Sequence, residues 1–382
     1  MSSPIVIIGT GLAGYTLARE IRRRDAKVSL CLITRDDGAF YSKPMLSNAL
    51  GKHKTADELA TATVEKMQED LAAEILNHTT VKAIDTDRQR LELDNGKVLA
   101  YGQLVLAVGA QQIAPPVQGN GVDRICSVNS LQDYRQFRQR IAGKHSIAII
   151  GPGLIGCEFA NDLRHAEYEV HVIGPDAWPL GRLLPARAGA AVQQALHEVG
   201  VRWHLQSTVR QVNAAGDKLQ LVLDNQEQLD VDVVLSAIGL RANNTLAQAA
   251  GLRLNRGIVV DRNLKASGDN VYALGDCAEV DGLVLPFVMP LMQQARALAA
   301  TLTGEATAVT YPAMPVLVKT TSYPVVVSPP PVNAQGTWQE ALQEGGVKAL
   351  FKDGETLLGF ALTGTAVSEK QALTKLLPPL LA

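Results

Sequence analysis

Two stretches of this chain share one pattern. Ile5-Val6-Ile7-Ile8 runs into Gly9-Thr10-Gly11-Leu12-Ala13-Gly14, and Ile147-Ala148-Ile149-Ile150 runs into Gly151-Pro152-Gly153-Leu154-Ile155-Gly156. Four apolar residues are too few for a helix, and each glycine turn leads into a helix-like run (Leu17 to Arg22, Cys157 to Leu163), so each copy reads as buried strand, tight turn and helix. In this pattern the first glycine makes the turn, the second lets backbone approach a pyrophosphate, and the third lets the helix pack on its strand. The free N–H groups around Leu12, Ala13, Leu154 and Ile155 then point at the phosphates. One GxGxxG is weak evidence, but two in context, about 140 residues apart, predict two dinucleotide sites. A flavin and a nicotinamide are the natural pair.

The rest of the composition narrows the class. A chain of 382 residues, 47% hydrophobic and 19% charged, is long enough for two or three ordinary globular domains. A net charge of -2 argues against bulk attraction to nucleic acid or anionic membrane. No apolar run reaches the roughly 18 residues of a membrane span, and the start of the chain lacks the pattern of a secretory signal, so a cytoplasmic location is expected. The four cysteines, Cys31, Cys126, Cys157 and Cys277, form no CxxC and no close pair, which disfavours a flavoenzyme that relays electrons through a dithiol. Cys157 and Cys277 follow nucleotide-turn residues, but buried packing is the plainer role. The seven histidines are dispersed, and no metal site is expected.

Taken in order, Val28 to Ile33 predicts a second strand, with Asp36 a candidate acceptor for an adenosine ribose and a plain turn aspartate as the alternative. Lys43-Pro44 predicts an extended backbone carrying one cation towards a phosphate or flavin edge. Asp57 to Leu76 reads as helical, and Arg90 to Gly96 as a strand ending in a hairpin. The inserted unit expected over 114–239 holds the second glycine turn. Glu158 could reach a nicotinamide or simply complement the helix N-terminus, where the spacing puts it on the first turn. Beyond the strand Val170 to Ile173, an acidic residue normally selects NADH, but Gly174 stands there and Asp176 follows two residues later. NADH rather than NADPH is expected, since no arginine occupies the strand end. The unit closes at Gly239.

Asn270 to Glu279 predicts a strand and then Gly275-Asp276, a carboxylate beside a residue without a side chain, suited to the ribitol hydroxyls of FAD. Met289-Pro290 opens a helix whose N-terminus could face the flavin pyrimidine edge. From about Pro312, two strands pairing across Asp353-Gly354 and a helix over 368–377 predict a small α+β unit. Lys319 there is either a partly buried cation near the flavin or a snorkelling surface lysine.

Tyr41 to Ser47, with Lys43-Pro44-Met45-Leu46-Ser47, resembles the Arg/Lys-Pro-Pro-Leu-Ser motif of FAD-dependent reductases that serve small iron–sulfur and iron–thiolate proteins, with Met45 in place of the middle proline. Ile155 to Leu163, Asn270 to Asp281 and Val288 to Leu291 are similar to the same family, and the resemblance covers essentially the whole chain, most closely with its rubredoxin and flavorubredoxin reductases. It implies a glutathione-reductase-like α/β flavoprotein: a discontinuous FAD domain (1–113 and 240–311), an NAD(P)H domain (114–239) and a C-terminal α+β domain (312–382). It further implies FAD contacts for Lys43, Pro44, Val81 and Gly109, and a nicotinamide-facing Glu158. NADH would supply hydride, and FAD would pass electrons singly to rubredoxin, a small acidic iron protein, in some relatives for alkane oxidation. A disulfide reductase, an NADH oxidase and a slow redox-sensing flavoprotein remain as alternatives.

Overall fold

The computed structural model describes residues 3–382; Met1 and Ser2, the first two residues of the expected FAD domain, lie outside the described residues. Ile5–Ile8 is the central strand of a five-stranded parallel sheet in the order Val271–Ala273, Gln103–Leu106, Ile5–Ile8, Leu30–Ile33, Glu74–Leu76. All four residues of the central strand are buried, as a parallel strand covered on both faces requires. The first turn leads into a helix over Leu12–Arg24, packed against the long helix Val288–Leu302.

The second half repeats this plan. Ser146–Ile150 lies inside a four-stranded parallel sheet ordered Val201–Leu205, Glu169–Gly174, Ser146–Ile150, Val233–Ser236, and its turn leads into the helix Leu154–His165. Each repeat then carries a three-stranded antiparallel ribbon, Val81 to Ala100 in the first and Val209 to Val231 in the second. The chain passes between the repeats through two short antiparallel strands, Ala110–Gln112 and Leu240–Ala242.

After the long helix comes a five-stranded sheet, Val316–Val318, Val325–Ser328, Thr356–Gly364, Gly346–Asp353, Thr337–Gln343, antiparallel throughout. The fold is thus α/β with two Rossmann-like units and a small α+β unit, as the sequence predicts.

Three local expectations fail. Asp57 to Leu76 is two helices, Ala56–Leu59 and Val64–Leu71, separated by the strand Ala60–Ala62 and followed by the strand Glu74–Leu76. Thr55 and Thr63 each accept a backbone N–H at a helix start, so two caps restart the helix where periodicity suggested one. The C-terminal helix is only Lys370–Thr374, preceded by a 3-10 turn over Thr365–Glu369, because Ser368 donates back to the Thr365 carbonyl instead of capping. Lys43 is not extended. It starts a 3-10 helix, Lys43–Asn48, and the extended residue is Ser42; proline near the first turn of a helix costs no backbone bond.

Candidate functional site

The two glycine turns are built alike. A Cβ on Gly9 (φ +115°) would stand 2.3 Å from the Ala107 carbonyl oxygen, and one on Gly151 (φ +113°) 2.6 Å from that of Ala237. A Cβ on Gly14 or Gly156 would meet the carbonyl oxygen of Gly9 or Gly151 at 1.9 Å. These four glycines are required by backbone packing. At Gly11 and Gly153, by contrast, an added Cβ meets nothing within 4 Å. Each turn therefore presents a glycine to open space at the N-terminus of a helix, a cradle fit for a pyrophosphate.

Around the first turn the predicted FAD residues converge. Gly275 (φ +78°) packs so closely that an added Cβ would lie 2.9 Å from Ala13, and its N–H donates to buried Gln294 at 2.6 Å. The next residue, Asp276, faces Lys43 with Nζ and Oδ2 3.9 Å apart. Burial pushes the Asp276 carboxyl up against the pull of Lys43, and pushes the Lys43 ammonium down against the pull of Asp276. Both charges are therefore short of solvation, and hydroxyl or phosphate groups would satisfy them. Pro290 is buried in the first turn of its helix, while Met289 is half exposed. Gly109 stands at φ +67° where the adjoining sheet strand ends, and the Cys277 thiol beside it donates to the Leu106 and Leu274 carbonyls at 3.3 Å. Val81 opens its strand just after Asn77 to Thr79, a segment bonded to the carbonyls of Thr34 and Asp36, so Asp36 and Val81 border the same end of the first sheet.

The second group joins residues far apart in sequence. Glu158 is the fifth residue of its helix, hence past the first turn, and is fully buried, which removes the reading of a carboxylate complementing the helix end. It accepts from Ser47 Oγ at 2.5 Å, from the Lys319 backbone N–H at 2.9 Å and from Lys319 Nζ at 2.5 Å. Lys319 is thus a paired lysine rather than a snorkelling one, with 21% of its side chain exposed. One turn further, Asp162 accepts the N–H groups of Leu50 and Gly51 at 3.0 and 2.8 Å, although burial still pushes its carboxyl up. Asn161 accepts the Ser322 N–H at 3.1 Å and donates to Thr321 at 3.0 Å.

One helix face therefore fastens Ser47 to Gly51 on one side and Lys319 to Ser322 on the other. The six-residue helix Lys43–Asn48 joins both groups, with Lys43 at Asp276 and Ser47 at Glu158. Ser47, Asn161 and Asp162 were not singled out in the sequence reading. Asn161 and Asp162 carried a signal as polar residues at i+3 and i+4 from Glu158 on a largely buried helix, whereas Ser47 carried none of that kind, and the partners of all three lie more than a hundred residues away.

Around the second turn, Gly239 (φ +119°) accepts the Ile113 N–H at 3.2 Å where the chain leaves the unit. A Cβ on Gly174 would lie 2.1 Å from Cδ of Pro152, so the proline ring in the turn excludes any side chain, acidic or not, at that strand end. Asp176 follows in the turn beyond. All four cysteines are free and buried, with the Cys277 thiol pushed up to about 12 by burial, as structural thiols are. Among the described residues no group of three or more His, Cys, Asp and Glu side chains could hold a metal ion, and no helix is long and apolar enough to cross a membrane.

Comparison with known proteins agrees with this architecture. Residues 3–300 match the model of the pyridine nucleotide-disulphide oxidoreductase family, and residues 308–377 match that of a rubredoxin binding C-terminal domain. The chain is 48% identical to a rubredoxin-NAD(+) reductase of Alcanivorax borkumensis, over 99% of each chain. It is 46% identical to one of Acinetobacter baylyi, over 99% of this chain and 98% of the relative. A ferredoxin reductase of Rhodopseudomonas palustris superposes with a TM-score of 0.86 at 27% identity, over 95% of this chain and 91% of that one. Two open glycine turns on duplicated sheets, a carboxylate–lysine pair beside the first and the matches over both parts of the chain place this protein in the pyridine nucleotide-disulphide oxidoreductase family, in the branch that carries a rubredoxin-binding C-terminal domain.

Proposed function

We propose that this chain is an FAD enzyme that oxidises NADH and reduces the iron of rubredoxin. The observation that carries the reading is the pair of glycine turns open to solvent in a chain whose four thiols are all buried and free; two dinucleotides can meet, and electrons must leave to an outside acceptor. When bound, FAD supplies the chemistry, accepting a hydride and releasing electrons one at a time.

The residues bind, orient and exclude water. The turn of Gly9, Gly11, Leu12, Ala13 and Gly14 takes the FAD pyrophosphate, Asp36 and Val81 border its adenosine end, and Gly109 closes the same sheet end. Lys43, Pro44, Gly275 and Asp276 take the ribitol and phosphate region, and the helix start at Met289-Pro290 offers its positive end to the ring. The turn of Gly151, Gly153, Leu154, Ile155 and Gly156 takes NADH, with Gly239 at the exit of that unit. Glu158, buried beneath Lys319 and Ser47, acts as a positioning residue that fixes the ammonium of Lys319 at the junction. This division supports boundaries at 1–113 with 240–311, 114–239 and 312–382, since both crossovers run through the ribbon of Ala110–Gln112 and Leu240–Ala242. Free cysteines fit a reducing, cytoplasmic setting.

NADH-driven turnover of the FAD-loaded protein against rubredoxin, a ferredoxin and a small disulfide tests the reading. Fast reduction of rubredoxin alone is expected, slowed by added salt because an acidic partner is steered by local cations. Turnover with flavorubredoxin or another iron–sulfur protein instead would reassign the acceptor within the family. Flavin reduced by NADH with no acceptor turning over would replace the enzyme by a redox sensor.

A further inference from the structure

Gln294 is a polar residue on an apolar stretch of the long helix. Leu291, Ala295 and Leu298 beside it on Val288–Leu302 are buried, and Gln294 itself is only 2% exposed. A buried amide needs partners, and this one has two. Its Oε1 accepts the Gly275 N–H at 2.6 Å, and its Nε2 donates to the Tyr311 hydroxyl at 2.7 Å. The orientation is forced, because a backbone N–H can only donate. It therefore fixes the amide oxygen and leaves the nitrogen for Tyr311.

Tyr311 is held in its turn. It is buried, its N–H donates to the Leu381 carbonyl at 2.8 Å, and its carbonyl accepts the Leu381 N–H at 3.0 Å. The chain enters the C-terminal unit just after Tyr311 and is back beside it at Leu381, so this bridge clasps the base of that unit. Two residues earlier, Val309 donates its N–H to the Arg262 carbonyl at 2.7 Å and accepts from Arg262 Nη2 at 3.1 Å. Tyr311 lies in the core of the first Rossmann-like unit, and Leu381 packs against that core. At the other end Gly275 has no slack, since its φ is +78° and an added Cβ would lie 2.9 Å from Ala13. Asp276, which faces Lys43, is the next residue. A buried relay of Tyr311, Gln294 and Gly275 thus runs from the clasp to the carboxylate of Asp276.

We infer that Gln294 and Tyr311 are positioning residues for FAD, which set the Gly275-Asp276 turn from the base of the C-terminal unit, so that the clasp governs how tightly the flavin is held. The turn seats where its buried N–H meets Gln294, because an unmet buried donor is costly. Gln294 points there because Tyr311 takes its other end. Asp276 then stands where ribitol hydroxyls can reach it. Bonds linked inside a protein polarise one another, so loss of one member weakens the rest. The coupling is reciprocal, and FAD in its place steadies the clasp. The inference rests on the reading of the first glycine turn as the FAD site but not on the identity of the electron acceptor.

Binding of FAD to the apoprotein, by calorimetry, and the visible circular dichroism of the bound flavin test it without rubredoxin. Tyr311→Phe keeps the ring and removes only the hydroxyl. It is expected to weaken FAD binding by about five- to fiftyfold, the weight of a buried amide left unmet, and to alter the dichroism, which reads the surroundings of the ring rather than the stability of the fold. Gln294→Leu should weaken binding at least as much, and Tyr311→Phe added to it should cost nothing further, because the relay is already cut. Leu381→Pro deletes the N–H that the Tyr311 carbonyl accepts. It should weaken FAD binding when Tyr311 is intact and add nothing to Tyr311→Phe. Tyr323→Phe is the control, since it removes a hydroxyl bonded to Thr363 Oγ1 at 3.0 Å within the C-terminal unit and should leave FAD affinity and dichroism unchanged. Tyr311→Phe and Leu381→Pro carry the test where Gln294→Leu does not fold. Unchanged affinity in Tyr311→Phe would overturn the inference, as would additive losses in the double variants or an equal effect of Tyr323→Phe. An unaltered apoprotein that binds no FAD would overturn the FAD reading itself and the inference with it. Coupled FAD binding as expected beside failure to reduce rubredoxin would leave the inference standing and remove only the acceptor.

Discussion

Glu158 has three donors around one buried carboxylate, so its removal strands a partly buried ammonium. Breaking such a pair from one side costs about 3–5 kcal/mol when fully buried. Because Lys319 keeps some exposure, Glu158→Ala is expected at the lower end, about 3 kcal/mol, measured by denaturant unfolding. Ser47→Ala removes one neutral donor and is expected to cost about 1 kcal/mol. Beside the first glycine turn, burial acts on another charged pair, Asp276 facing Lys43. Burial raises the Asp276 carboxyl above its ordinary 3.8, so the folded apoprotein holds that proton where the unfolded chain has lost it. Stability from this residue is therefore full below the ordinary value and falls as pH rises through the raised one. Asp276→Asn should remove that fall and raise the apoprotein melting temperature at neutral pH, while weakening FAD binding by about tenfold or more. Thermal scans with and without FAD at pH 5 and pH 8 check both halves. A variant less stable as apoprotein at pH 8 would contradict the desolvation argument.

Within each glycine turn the positions separate binding from folding. Gly153→Val adds a side chain where the protein has none within 4 Å, and Gly156→Ala drives a methyl into the Gly151 carbonyl at 1.9 Å. The first is expected to leave FAD content and melting temperature unchanged while raising the KM for NADH by about tenfold or more, by blocking phosphate approach. The second should cost about 1–3 kcal/mol, as overpacking does. Equal loss of stability in both variants would mean that Gly153 also serves packing. The short helix Lys43–Asn48 joins the two groups, since one element carries the cation that faces Asp276 and the hydroxyl that meets Glu158. Helices elsewhere were less legible: two threonine caps split Asp57 to Leu76, and caps a few residues apart are easily absorbed into one apparent helical period.

Across the whole molecule, the C-terminal sheet is part of a core rather than an appendage. Val318, Val325, Val327, Val347, Ala349 and Ala361 are buried in one cluster with Leu46 and Leu50 and with Ile147, Phe159 and Val192 of the second Rossmann-like unit. Glu340 also reaches across from the C-terminal sheet to accept the Ala188 N–H at 3.0 Å near the start of the helix Ala186–Glu198. Deletion of 312–382 is therefore expected to expose that cluster and leave Glu158 without Lys319. Raised dye binding to apolar surface and a melting temperature lowered by more than about 10 °C should follow. A truncated protein that stays compact and melts as before would show the C-terminal unit to be energetically separate.

The sequence by itself determined the duplicated strand–turn–helix units, the glycine roles, the Gly275-Asp276 turn and the unpaired cysteines, because each rests on period, chirality or spacing within a few residues. It also carried Asp176 and Gly174 as a departure without a reason. Only the tertiary structure decided that reason, the Pro152 ring against Gly174, and only it brought Glu158 to Ser47 and Lys319, contacts 111 and 161 residues apart. Local order follows from steric limits that neighbouring residues impose on one another, whereas the partners of a buried charge depend on how whole units dock, which no local pattern encodes.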